Sequence, residues 1–75
     1  MTINQALGQI VKEKIDELNV TMNVFSKQSG LSPAGIYVII NGSSSPTLDT
    51  ICLLAAAFNM TPGTLITNAQ KRAQT

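Results

Sequence analysis

The chain has 75 residues and a net charge of +1, from five Lys and Arg against four Asp and Glu; 44% of its residues are hydrophobic and only 12% charged. That length makes one domain at most, and a charged share about half the usual ~25% leaves too few ions to cover the surface, so some apolar side chains must stay exposed or meet a partner. No histidine and a single cysteine, Cys52, exclude an intramolecular disulfide, a cysteine metal cluster and the commonest general base, and a near-neutral balance is not the basic one that nucleic-acid binders usually show.

The longest apolar runs, residues 37–40 and 51–58, fall far short of the ~20 residues of a membrane span. No basic segment with an apolar core opens the sequence, so a cytoplasmic protein with no membrane partner is expected. Asp16 and Glu17 are adjacent and diverge on a helix, and no serine has an evident base, so neither an enzyme nor a cofactor is expected.

Thr2 with Gln5 three residues later makes a capping box ahead of a helix over about residues 3–18. Leu7, Ile10, Val11, Ile15 and Leu18 share one face at helical spacing, and Lys12, Glu13, Asp16 and Glu17 lie mostly on the other, as a solvated face. Asn19 can take the left-handed stop. Thr21 caps a second helix running to Ser29, with Val20 before the cap positioned to staple against Phe25. Gly30 stops it, Ser32 and Pro33 start a third helix, Leu31 and Ile36 repeat the staple, and Asn41 with Gly42 close it.

Residues 36–40 are β-branched enough for a strand, but the Ser-Pro cap, the shortness and the lack of a pairing partner argue for a helix. Ser43, Ser44 and Ser45 read as turn formers. Pro46 and Thr47 open a fourth helix whose buried stripe is Leu48, Ile51, Leu54, Ala55 and Phe58, and Asn59 ends it. Cys52 in that apolar run reads as a small hydrophobe. Met60, Thr61 and Leu65 give a third staple for a fifth helix, with Pro62 at its first position. The domain is expected over residues 1–68, with residues 69–75 a polar, frayed tail.

Two short helices joined through Gly30 follow helix-turn-helix grammar, and five helices without strands make the class all-α. Residues 7–66, about four-fifths of the chain, resemble the Cro/C1-type (XRE-like) helix-turn-helix family of phage repressors and small bacterial regulators. The resemblance is carried by Thr21 and Phe25, Gly30, Ser32 and Ile36, Asn41 and Gly42, then Pro46, Leu48, Ile51, Ala55, Phe58 and Leu65, in order and without a gap. It implies a compact five-helix bundle of the phage-repressor DNA-binding type. Its third helix would enter the major groove of double-stranded DNA, with the start of the second helix and the loop after the third on phosphates, in a two-fold homodimer. Carried over residue by residue, it places Thr21, Met22, Asn23, Lys27, Ser32, Pro33, Ala34, Tyr37, Val38, Asn41, Ser43 and Ser44 at the DNA.

The departures from the family pattern are informative. Many members have arginine where this chain has Ile15 and glutamate where it has Ile40, a pair the resemblance would bury together. Replacing both partners by apolar residues is often neutral or stabilising, so an Ile15–Ile40 contact is expected. A position that commonly offers glutamine to a phosphate holds Met22, and the reading face of Pro33, Ala34, Gly35, Tyr37 and Val38 carries almost no hydrogen-bond code. With Lys27 as the nearby cation, binding should be weak and its salt dependence shallow. An alternative is the same fold used as a protein-interaction module, an antirepressor or assembly factor, whose partner docks on the third helix. Leu53 and Ala56, where relatives often carry charge, together with Leu65 and Ile66, are expected to form an outward apolar surface for a homodimer.

Overall fold

Each helix of the protein begins at a threonine or serine whose hydroxyl accepts a hydrogen bond from the backbone N–H three residues on. The caps are Thr2, Thr21, Ser32, Thr47 and Thr61, and they open α1 (Ile3–Leu18), α2 (Met22–Ser29), α3 (Pro33–Ile40), α4 (Leu48–Ala57) and α5 (Pro62–Gln74). At α1 the bond is reciprocal, because the Gln5 side chain accepts from the Thr2 N–H at 2.9 Å. Such caps satisfy N–H groups that a helix start leaves without partners, each contributing about 1 kcal/mol. The chain turns out of its helices at left-handed residues: Asn19, Gly30, Gly42 and Asn59, with φ of 56°, 79°, 68° and 58°.

The computed structural model describes all 75 residues, and the five helices form an all-α bundle. α1 runs through its middle, packed most extensively on α5 and then on α3, while α2 lies against α3 and α4 and α4 against α5. Val11, Phe25, Ile36, Leu54 and Leu65, one from each helix, are the largest fully buried side chains. Phe25 also stacks on Phe58, ring centroids 5.3 Å apart, a geometry that adds to the burial of both rings. The staple partners Val20, Leu31 and Met60 pack on this core from its rim, each at the entrance to its helix. No single helix is long and apolar enough to cross a membrane.

Four expectations are corrected. The tail expected from residue 69 is instead helix to Gln74, because Ala69 is fully buried and Arg72 makes two hydrogen bonds to Glu13, Nη1–Oε2 at 2.7 Å and Nη2–Oε1 at 2.9 Å. Leu48, assigned to the buried stripe of α4, is 82% exposed, on the same side of the helix as the exposed Cys52. Leu48, Cys52 and Ala56 make one i, i+4 row, and the core lies along the neighbouring row of Ile51, Leu54, Ala55 and Phe58. Leu18, the last helical residue of α1, is likewise 42% exposed. Leu65, assigned to an outward dimer surface, is fully buried, since it is the helix-side member of the α5 staple.

Candidate nucleic-acid interface

The turn between α2 and α3 is knit by serines. Ser26 Oγ donates to the Leu31 carbonyl, and the buried Ser29 donates to Ser26 O at 3.4 Å and accepts from Leu31 N–H at 3.3 Å. These bonds satisfy polar groups that the close approach of the two helices removes from water, and they fix the angle at which α3 leaves the turn. α3 then buries Ile36 and Ile39 and turns Pro33, Ala34, Tyr37 and Val38 to solvent.

On that exposed side Tyr37 is 52% and Val38 40% accessible, and no acidic or basic side chain stands on α3 at all. Thr21, Asn23, Lys27, Ser32, Asn41, Ser43 and Ser44 are exposed and Met22 is half-buried. The Thr21 and Ser32 hydroxyls accept from Val24 N–H at 3.2 Å and Gly35 N–H at 3.1 Å, which uses a lone pair and leaves each O–H proton free to give to a phosphate oxygen. Ser43 Oγ donates to the Val38 carbonyl at 3.2 Å, so its proton is engaged in the free protein, while the exposed Ser44 makes no side-chain hydrogen bond.

Three of these residues, Met22, Tyr37 and Asn41, line one open hollow of about 250 Å³ together with Lys12, Ile15, Asp16 and Ile40. Ile15 and Ile40 thus come to the same hollow, Ile15 only 5% exposed and Ile40 half-buried, in the register expected of them. Lys12 and Asp16 are the residues that sequence reasoning missed. Lys27 is therefore not the one cation near the reading face. Lys12 stands one turn of α1 before Asp16, its Nζ 3.5 Å from Asp16 Oδ2, with both side chains well exposed. The available signal was the spacing: Lys12 stands three residues before Ile15 and four before Asp16, so a helix face that turns Ile15 to α3 carries Lys12 beside it.

The helix-turn-helix family model matches residues 11–65, from the middle of α1 to the buried staple residue of α5. The chain belongs to the helix-turn-helix family, in its Cro/C1 type. Membership places this helix-turn-helix protein among DNA-binding transcriptional regulators. Among solved structures it is similar to the crystal structure of the clp gene regulator ClgR from Corynebacterium glutamicum, with a TM-score of 0.82 over 96% of this chain and 77% of the ClgR chain. Identity between the two is 15%, so the likeness is one of fold. No curated protein matches the sequence.

Proposed function

We propose that this regulator binds double-stranded DNA as a two-fold homodimer, with α3 in the major groove and reading mainly by groove shape and thymine methyl contacts. The observation that carries the reading is the free, uncharged face of α3, held at a fixed angle by the Ser26 and Ser29 bonds and flanked by the exposed caps of α2 and α3. Arg, Lys, Asn and Gln supply the strong base-edge contacts, and α3 has none of them before Asn41. Ala34 and Val38 can meet thymine methyls, Tyr37 a base edge or a phosphate, and Ser32, Asn41, Ser43 and Ser44 phosphate oxygens.

Only Lys27 on α2 and Lys12 at the hollow, the latter paired with Asp16, are available to displace counterions. The salt slope per protomer is then about one to two, far shallower than that of a basic repressor. Titration of a labelled duplex of the gene's own promoter region, at low and at moderate salt, tests this. Binding with a shallow slope supports the reading, and no binding at micromolar protein with the fold intact overturns it.

The exposure of Tyr37 and Val38 beside an apolar hollow favours a second reading, a protein-interaction module of the same fold whose partner covers α3. Tyr37→Ala separates the two. On the DNA reading it weakens duplex binding about three- to tenfold, the worth of one net hydrogen bond with its contacts. On the second reading duplex binding is absent or unchanged and capture of the partner is lost.

A further inference from the structure

The loop from α3 to α4 carries Ser43 and Ser44, and both of its ends rest on the first turns of α1. At its start, Gly42 takes a left-handed φ of 68°, and a Cβ there would lie 2.9 Å from Gln5 Cα and 3.2 Å from Gln5 N, backbone atoms that cannot yield. At its far end, Asn4 Nδ2 donates to Ser45 Oγ at 2.9 Å, a side-chain bond that joins residues 41 positions apart in sequence. Ser45 precedes Pro46, a neighbour that disfavours the helical region for Ser45 and so narrows its backbone freedom. The two serines between these anchors have little slack.

We propose that Asn4 is a positioning residue for phosphate contact: by holding Ser45 it fixes the loop that presents Ser43 and Ser44 to the DNA backbone. The proposal rests on the DNA-binding reading above. A loop that occupies its binding arrangement only part of the time lowers the apparent affinity by that fraction, so the Asn4–Ser45 bond acts on binding without touching DNA. Asn4 is the second residue of α1, where alanine is a better helix former than asparagine, so removing its side chain loosens the loop and leaves α1 intact.

The test compares Asn4→Ala, Ser45→Ala, the double variant and Ser45→Thr, which keeps the hydroxyl. Binding is read by fluorescence anisotropy on a labelled random-sequence duplex at low salt, and the free proteins are read by ¹⁵N relaxation of the Ser43, Ser44 and Ser45 amides. The expected result is a loss of about three- to tenfold in affinity for each alanine variant, no further loss in the double variant, near-native affinity for Ser45→Thr, and faster loop motion wherever affinity falls. Thermal midpoints should stay close to that of the wild type. Wild-type binding matched by both alanine variants, or losses that simply add in the double variant, overturns the role of Asn4. Failure of the wild type to bind any duplex overturns the DNA reading itself, and unchanged relaxation in Asn4→Ala then overturns the anchoring as well.

Discussion

At Gly8 an added methyl group has nowhere to go. A Cβ built there would stand 2.4 Å from the Ile39 carbonyl oxygen and 2.5 Å from that of Ile40, so α1 and the end of α3 meet backbone to backbone. Gly8→Ala should destabilise the protein by about 1–3 kcal/mol, the range for overpacking a filled interior, and urea unfolding measures it. Because the atoms in the way belong to α3, the same change should also displace the reading face and weaken DNA binding beyond the loss of stability. Ile15 offers the complementary test. Arginine placed alone at this buried position leaves a charge without a partner, for an expected loss of about 3–5 kcal/mol, whereas Ile15→Arg combined with Ile40→Glu should recover most of it. Additive losses in the double variant would show that the two positions do not face one another. That Ile15 and Ile40 would come to one place was legible in the sequence because two departures from one family pattern explain each other. Lys12 was legible only through Ile15, three residues on along the same side of α1, because its own place on a charged helix face does not say which neighbour it borders.

At the scale of the element, α5 shows what local rules reach and what they miss. Its start was legible, because Thr61, Pro62 and the Met60–Leu65 staple act within one turn. Its end was not, because Ala69 is buried in the core and Arg72 is held by Glu13 of α1, 59 positions earlier, and a polar ending carries no record of such partners. The burial of Leu65 and the exposure of Leu48 follow the same division. The staple is a local rule and held, whereas the stripe of α4 depended on which row of the helix its neighbours cover. The bridge to α1 makes the end of α5 sensitive to acid. Two hydrogen bonds from Arg72, with its charge adding and desolvation opposing, hold the Glu13 carboxyl below its ordinary value. A carboxyl whose pKa falls on folding contributes fully above its unfolded value, and the contribution disappears as the pH drops through the folded value. The last turn of α5, watched through the amide shifts of Gln70, Ala73 and Gln74, should therefore fray as the solution is taken below the ordinary carboxylate range. Arg72→Gln should fray it at neutral pH and remove this acid dependence.

For the molecule as a whole, the apolar excess in the composition has an address. Leu48, Cys52, Leu53 and Ala56 on α4 and Ile66 on α5 are exposed, and Asp49 is the single charge on the exposed part of α4. A second copy seated there would cover side chains that a charge-poor surface leaves in water. Light scattering across concentration should give twice the mass of one chain, Leu53→Glu should return it to one, and a constant single-chain mass for the wild type would remove the dimer from the proposed function. The architecture also governs how the chain is made. α1 finds its largest partner in α5, at the opposite end of the sequence. A ribosome delivers the first helix several seconds before residues 62–74, at about 5–20 residues per second, so α1 still lacks its largest partner when α2, α3 and α4 have been synthesised. A nascent chain halted before residue 62 thus holds the whole helix-turn-helix yet lacks the helix that packs most extensively on α1, and resistance to digestion arrives late.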